Sequence, residues 1–411
     1  MIRPPASRPG LAALTGAAGL ASAALLAAGC TPLSGVISMA AQPVAACGPS
    51  HGVVLITGAH RDVPAPALGR PVRCRLAAAI EDRKPVILVE ASGQPDVVKV
   101  QLLPVGTGTL AQQGSPRVNE DVQRVEQAVA GLRPHSAGVD DLAAFAIAAD
   151  AARSAGAPHA ELILLDSGLD DRGALDFTTP GMVAADPAEV AHQLTATGND
   201  PDLRGFPVLL VGLGYTAPPQ PPLAAKWRSN VSQIWTAVIR SSGGRPELIP
   251  QPAQGEPVRT SEPVRLIPVP ADPPVTLRPQ ASRAPQAPIV FNGESPVRFQ
   301  PNSTAFVDSA AARRALAPIA RWLAADPSRH ASLEGTTADV GPMAGQVALA
   351  TRRAQRVRGE LVTLGAHRDQ VSCTGVGSDF PQFMPDRNGA GVLLAAPAAL
   401  NRSVRITLRS R

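Results

Sequence analysis

A short stretch that begins at Gly335 combines a glycine turn with a long helix, and it constrains the fold more than any other part of the chain. It reads GTTADVGPMAGQVALATRRA. Gly335 and Gly341 bracket the turn, and Pro342 stands where a helix begins, a position that proline favours. The helical pattern continues to about Leu364, and Gly365 supplies a stop. The stretch therefore predicts a strand, a tight turn and a helix in that order.

Residues 291–411 as a whole predict one α+β unit in the order β-α-β-α-β-β. Its predicted strands are 297–299, 331–335, 371–374 and 403–408, and its predicted helices are 309–325 and 342–364. Asp308 is the expected N-cap of the first helix, because its side chain can accept a hydrogen bond from a free backbone amide. Residues 378–400 read as a long loop.

The sequence of this unit resembles the OmpA-like peptidoglycan-binding domain. That family carries a G-H-T-D-x-x-G turn followed by a helix with N-x-x-L-S-x-x-R-A. The residues that match are Gly335, Gly341, Leu349, Arg353 and Ala354, then Gly375-Val376-Gly377 with Pro381, and Asn401-Arg402-Ser403-Val404. The resemblance implies the OmpA-like fold for the C-terminal third.

The resemblance also implies a ligand, the diaminopimelate stem peptide of peptidoglycan, whose ammonium and carboxylate the family holds with its Asp and its Arg. A guanidinium suits a carboxylate because it donates two parallel hydrogen bonds. This chain keeps the arginine as Arg353 but has Ala338 at the aspartate, Thr336 at the histidine and Gln346 at the asparagine. Loss of one charge-assisted hydrogen bond costs roughly 1.5–3 kcal/mol.

A peptidoglycan site is therefore expected around Arg353. The other expected members are Asp339, Thr337, Gln346 and Arg402. Asp339 would replace the missing acid if it turned inward, and the backbone amides of the 337–341 turn would add donors at a helix N-terminus. The alternative for Arg353 is a structural salt bridge to Asp339 or Asp379.

The N-terminus, residues 1–30, is typical of a lipoprotein signal. Arg3 and Arg8 precede an uncharged apolar run, which ends in Leu-Ala-Ala-Gly before Cys30. Acylation of Cys30, including palmitate, would anchor the chain on the extracytoplasmic face of the cell membrane. The alternatives are a secretory signal cut near residues 45–46 or a retained membrane helix. In an oxidising compartment Cys47 and Cys74 could form a disulfide, with Cys373 a buried thiol.

Residues 48–268 alternate strands and helices, which predicts an α/β domain with a doubly wound, mostly parallel sheet. The predicted strands are 52–58, 85–90, 97–103, 162–166, 208–212 and 264–268. The second and third form an antiparallel hairpin, so the element order resembles von Willebrand factor A-like domains or, more broadly, Rossmann-like ones. No carboxylate follows the first strand in Thr57-Gly58-Ala59-His60-Arg61, so we expect no metal site. Asp166 is expected to cap a turn, and Asp170-Asp171 to be solvated.

Enzyme motifs in this domain lack the structural context that they need. The G-x-S-x-G match at residues 48–52 precedes a strand instead of following one. The G-x-G-x-x-A match at residues 212–217 is followed by prolines, which prevent the required helix. His60 has no partner that the sequence reveals. We therefore expect no catalytic residue and no cofactor, with a hydrolase in this domain as the weakest alternative.

Residues 269–290 are rich in proline and predict an extended spacer that holds the two domains apart. The net charge of +5 over 411 residues is too diffuse for a nucleic-acid partner. Only three of the 38 basic residues are lysines, a bias typical of a GC-rich, actinobacterial genome. The sequence predicts a lipoprotein that tethers membrane to peptidoglycan. The alternative is an envelope protein-interaction module that has lost wall binding through Ala338.

Overall fold

The structure, a computed structural model, describes residues 48–98, 116–249, 256–275, 277 and 287–410. Cys30, Cys47 and part of the proline-rich segment lie outside these residues, so lipidation and the Cys47–Cys74 pairing stay predictions. Cys74 is buried on a helix of the first domain, and Cys373 is a free, half-buried thiol. Within the described ranges, none of the helices combines the length and the apolarity that crossing a membrane requires.

The first domain is built on a six-stranded sheet in the order β3-β2-β1-β4-β5-β6. Its elements are β1 (Val53–Thr57), α1 (Arg70–Glu81), β2 (Val86–Glu90), β3 (Asp96–Val98), α2 (Pro116–Gly131), α3 (Asp141–Ser154), β4 (Glu161–Leu165), α4 (Pro187–Ala196), β5 (Pro207–Val211), α5 (Ala225–Ser241) and β6 (Arg245–Ile249). Every strand pairing is parallel except β2–β3, which confirms the doubly wound sheet and its antiparallel hairpin. Helices α1 and α2 cover one face and α3, α4 and α5 the other, because a parallel sheet needs both faces buried.

The last strand of this sheet differs from the prediction. The edge strand is β6, which sequence analysis missed, whereas residues 264–268 are not a strand. β6 is half-exposed and contains Pro246 between charged residues, so it lacks the apolar run of a central strand. Side chains, not a neighbouring strand, accept from amides in residues 264–268: the amide of Ile267 donates to Gln220 and that of Arg265 to Asp171.

The second domain is a four-stranded sheet in the order β7-β10-β8-β9, with two long helices packed on it. Its elements are β7 (Ile289–Phe291), α6 (Ser309–Ala324), β8 (Arg329–Thr336), α7 (Met343–Thr363), β9 (Val371–Gly377), α8 (Ala395–Asn401) and β10 (Val404–Ser410). Asp308 caps α6 as predicted, accepting from the amide of Ala311 at 2.9 Å. The first strand is β7, not 297–299, and the predicted loop contains the helix α8.

The two domains pack against each other, which corrects the expectation that a spacer keeps them apart. The guanidinium of Arg402 donates twice to the carboxylate of Glu189 on α4, at 2.6 and 2.7 Å. The amide of Ala395 donates to Gln193 Oε1 at 2.8 Å. Alanines of α8 belong to the apolar core of the first domain. Burial of α8 against α4 therefore outweighs the separation that an extended spacer would favour.

Gly181 lets the two backbones approach where the domains meet. It has φ +92°, and a Cβ there would lie 2.4 Å from the carbonyl oxygen of Ala396. Its amide donates to Glu294 of the second domain at 3.0 Å. The docking therefore requires glycine at this position, both for its backbone conformation and for space.

A buried imidazole joins the carboxyl ends of β1 and β4. His60 Nδ1 lies 2.7 Å from Asp62 and Nε2 lies 2.8 Å from Asp166, which also accepts from the amide of Gly58. Burial opposes the charged imidazole, but Asp166 and Asp62 outweigh it and hold the pKa of His60 well above its ordinary value. The sequence does not reveal these partners of His60. Asp166 accepts from the amide of Ser167, as a turn cap would, and it also binds the imidazole.

The adjacent acids Asp170 and Asp171 are buried, so the expectation that they are solvated is also wrong. Asp170 accepts from the amide of Leu142 at the start of α3, and Asp171 accepts from the amide of Val139. Sequence reasoning missed both because the amides that they satisfy lie about thirty residues away.

Stability should depend on pH through His60. Since its folded pKa is raised, its contribution is fully present below about pH 6.5, the unfolded value, and is lost as pH rises through the folded pKa. We expect His60→Gln to lower the free energy of unfolding more at pH 6 than at pH 9, as measured by urea denaturation. His192→Gln, which removes an exposed imidazole, is the matched control. A His60→Gln effect that is constant with pH would contradict this account.

Gly181→Ala tests the docking. The new Cβ meets Ala396 of the other domain, so we expect a loss of about 2–4 kcal/mol in the free energy of unfolding. Gly198→Ala is the matched control, because Gly198 has φ +68° but nothing within 4 Å of its Cβ position. This variant should lose only the energy of placing alanine in a left-handed backbone conformation, about 1–2 kcal/mol. Equal losses in urea denaturation would show that the domains are not packed at Gly181.

Candidate functional site

The turn before α7 brings the helix close to β8 because position 335 has no side chain. A Cβ on Gly335 would lie 2.1 Å from the carbonyl oxygen of Ala350, and one on Gly375 in β9 would lie 2.3 Å from the amide nitrogen of Thr351. These two glycines therefore allow α7 to lie directly on the sheet. The close approach fixes the rotation of α7 and turns the side chain of Arg353 away from solvent.

Arg353 is buried without an acidic partner. Only 3% of its surface is exposed. Its Nε donates to the carbonyl of Ser303 at 3.0 Å and its Nη2 to the carbonyl of Gln300 at 3.4 Å. The guanidinium lies 5.2 Å from the ring of Phe299. Within the described part of the chain it forms no ion pair, so the alternative of a salt bridge to Asp339 or Asp379 is not what the structure shows.

The charge of Arg353 is poorly compensated. Burial, together with the positive charge of Arg402, lowers the pKa of its guanidinium to about 10. That value still lies well above neutral pH, so Arg353 is a cation inside the protein. Carbonyl oxygens and an aromatic ring satisfy its geometry but do not neutralise it.

A cavity of about 410 Å³ lies beside Arg353, between the two domains. It opens toward the exposed residues Lys226, Gln233 and Gln300, and its inner end includes the buried Arg353 and Asn230. Its charged lining residues are Lys226, Arg298, Arg353, Arg402 and Asp186. Arg402 is paired with Glu189 and Lys226 with Asp272, which leaves Arg298 and Arg353 against Asp186. This excess of positive charge makes the cavity suited to an anionic group.

The predicted site residues separate into two places. Arg353 and Arg402 line the cavity, although Arg402 is bound to Glu189. Gln346 instead donates to Asp339 Oδ1 at 2.9 Å, and Asp339 lies 3.3 Å from Arg387. The pair Gln346 and Asp339 therefore forms a structural cluster beside the turn and does not line the cavity.

Two backbone amides of the turn between β8 and α7 already have acceptors within the protein. The amide of Thr337 donates to the carbonyl of Gly377, and the amide of Asp339 donates to the buried carboxylate of Asp386. Ala338 is itself buried, with 2% exposed. These contacts use two of the turn's amides, and the expectation that its other amides bind a ligand stays a prediction. The side-chain hydroxyl of Thr337 is also buried, and it has no hydrogen-bond partner among the described residues.

Sequence reasoning missed Asp186, Lys226 and Arg298 as members of the cavity. Asp186 reads from sequence as the N-cap of α4, which it also is. Lys226 begins α5, and Arg298 lies in a segment expected to be a strand. The only usable signal was that Lys226 is one of three lysines. These residues come close to Arg353 only through the docking of the two domains, which the sequence does not reveal.

Elsewhere the described residues provide fewer groups that could bind a ligand or a metal ion. No group of three or more His, Cys, Asp or Glu side chains in these ranges could hold a metal ion. A cavity of about 300 Å³ adjoins Asp166 and Ser167. Both oxygens of Asp166 are already occupied, by Gly58 and His60 on one side and by the amide of Ser167 on the other.

Comparison with known proteins places the C-terminal part of the chain in a family. Residues 298–390 match the model of the OmpA family. Among curated proteins, none matches the chain. Solved structures include the peptidoglycan-associated lipoprotein from Burkholderia pseudomallei, at 26% identity, covering 28% of this chain and 94% of that chain with a TM-score of 0.24. Another is the periplasmic domain of Helicobacter pylori MotB, at 20% identity, covering 30% and 77% with a TM-score of 0.25.

A putative MotB-like protein from Desulfovibrio vulgaris matches at 22% identity, covering 30% of this chain and 75% of that chain with a TM-score of 0.25. These similarities concern the C-terminal part alone. The family match includes α6, β8, α7 and β9, the elements that carry the glycine turn and Arg353. Residues 298–390 of this chain therefore form an OmpA family domain.

Proposed function

We propose that this chain is an exported lipoprotein that binds peptidoglycan non-covalently through its OmpA family domain and so tethers or scaffolds the cell envelope. One observation carries the proposal: Arg353, at the arginine position of the OmpA-like motif, is a buried cation that forms no ion pair with any described residue and lines an open cavity. In the OmpA-like resemblance this arginine receives the carboxylate of diaminopimelate.

The energetic cost of burying the charge of Arg353 favours a role in ligand binding. A buried charge without a counter-charge is destabilising, since desolvation exceeds what neutral partners return. A carboxylate in the cavity would supply the counter-charge and accept charge-assisted hydrogen bonds from the guanidinium. That carboxylate would bind strongly because most water is excluded from the guanidinium of Arg353.

The membrane end of the tether rests on Cys30, whose lipidation would hold the chain on the extracytoplasmic face. No described residue is assigned a catalytic role or a cofactor in this proposal. The resemblance of the first domain to von Willebrand factor A-like domains also remains part of the proposal. In this proposal the first domain supports the OmpA family domain or binds an envelope protein.

A second function is favoured by one observation. The position of the missing family acid, Ala338, is buried, and the carboxylate of Asp386 occupies the amide of Asp339 beside it. A chain closed at that position could serve as a protein-interaction module that does not bind the wall. Retention on purified peptidoglycan separates the two functions.

Arg353→Gln should weaken wall binding strongly. Loss of a charge-assisted hydrogen bond of about 1.5–3 kcal/mol weakens binding roughly 10- to 100-fold. The measurement is co-sedimentation of the protein with purified peptidoglycan. Arg352→Gln is the matched control, because Arg352 is its exposed neighbour on α7 and should bind like the wild type. Wild-type protein that stays in the supernatant would support the interaction module instead.

Cys30→Ala should release the chain from the membrane. We expect the wild type to incorporate a fatty-acid analogue and to fractionate with membranes, and the variant to do neither, because two acyl chains supply the stable anchoring. Cys373→Ala, which removes the free thiol of the second domain, should keep both properties. Label retained in Cys30→Ala would remove the anchor from the proposal.

A further inference from the structure

The cavity beside Arg353 belongs to both domains. The second domain contributes Arg298 and Arg353, while α4 and α5 of the first domain contribute Asp186, Asn230 and Lys226. Any ligand that reaches Arg353 therefore contacts the first domain as well. This division of the lining suggests that recognition does not depend on the OmpA family domain alone.

Asp186 has a free acceptor in this cavity. It is the N-cap of α4, and its Oδ1 accepts from the amides of Ala188 and Glu189 at 3.0 and 3.1 Å. Its Oδ2 makes no hydrogen bond to another described residue, and its carboxylate forms no ion pair with the described side chains. Capping thus fixes the carboxylate in place and leaves one oxygen for a cationic group.

Two guanidiniums are available to bind a negatively charged group of the ligand. Arg353 has no acid partner, as described above. Arg298 lies with its guanidinium 4.9 Å from the ring of Trp227, a first-domain residue, and forms no ion pair with a described residue. Arg402, by contrast, is already paired with Glu189, and Lys226 is paired with Asp272 at 3.3 Å. The available charges are therefore two cations from the second domain and one anion from the first.

We propose that this cavity is a zwitterion site, in which Asp186 receives the ammonium and Arg353 with Arg298 receives the carboxylate of one amino-acid group. The first domain then supplies the acid that the OmpA family domain lacks at Ala338. The ligand class is an unblocked amino-acid end, such as the side-chain end of diaminopimelate. A cavity of about 410 Å³ is within the range of small-molecule sites. This inference rests on the proposed function and names how its ligand is held.

The test compares two soluble probes with the full chain at pH 7. Diaminopimelate carries both charges, and pimelate is the same diacid without the amines. We expect isothermal titration calorimetry to show that the wild type binds diaminopimelate about 10- to 100-fold more tightly than pimelate. Asp186→Asn should remove that preference. Asparagine also caps helices well, so α4 keeps its N-cap and the fold is retained.

Arg353→Gln should weaken both probes, because both carry the carboxylate. Asp326→Asn is the matched control: Asp326 also accepts from a backbone amide, that of Ser328, but does not line the cavity, so the preference should stay. An undiminished preference in Asp186→Asn would overturn the inference. Wild-type protein that binds neither probe, or both equally, would overturn it too, while retention on peptidoglycan decides the proposed function separately.

Discussion

The contact on which the rest of the structure depends is the paired hydrogen bond between Arg402 and Glu189. It joins the end of α8 to the first turn of α4, and the alanines of α8 complete the apolar core of the first domain beside it. The same docking places α4 and α5 across from Arg353. Without it Arg353 would line an open surface of one domain, and the cavity with Asp186 and Lys226 would not exist.

Two buried cations in this chain show how structural and ligand-binding charges differ. His60 lies between the carboxylates of Asp62 and Asp166, which hold its pKa well above the ordinary value. Among the described residues Arg353 contacts carbonyls and an aromatic ring but no carboxylate, and burial lowers its pKa to about 10. The first arrangement is complete within the protein, whereas the second lacks an anion. That difference is the physical reason to assign Arg353, and not His60, to a ligand.

Local sequence signals predicted the parts of the fold that local physics determines. The glycine turn and α7 were predictable because Gly335, Pro342 and Gly365 each satisfy a backbone requirement, and the Asp308 cap follows from the same logic. The position of Arg353 on α7 followed from the resemblance to the OmpA-like motif. The half-exposed β6 and the alanine-rich α8 lack a strong periodic pattern, so they were missed.

The remaining part of the site could not be predicted, because it depends on contacts between residues far apart in sequence. Asp186 and Arg353 meet in one cavity only after α8 docks on α4, and no pattern within either segment encodes that meeting. Asp339 was a reasonable substitute for the missing acid on sequence grounds, yet Gln346 and Arg387 hold it in a separate cluster. The proline-rich segment predicted separation, but the energy of packing the two domains decides their arrangement.

A double-mutant cycle on Glu189 and Arg402 tests the docked arrangement most directly. Free energies of unfolding would be measured for the wild type, Glu189→Gln, Arg402→Gln and the double variant by urea denaturation. A partly buried, two-fold hydrogen-bonded ion pair predicts a coupling energy of about 1–2 kcal/mol. A coupling energy near zero would contradict the account that this ion pair holds the two domains together around a shared cavity.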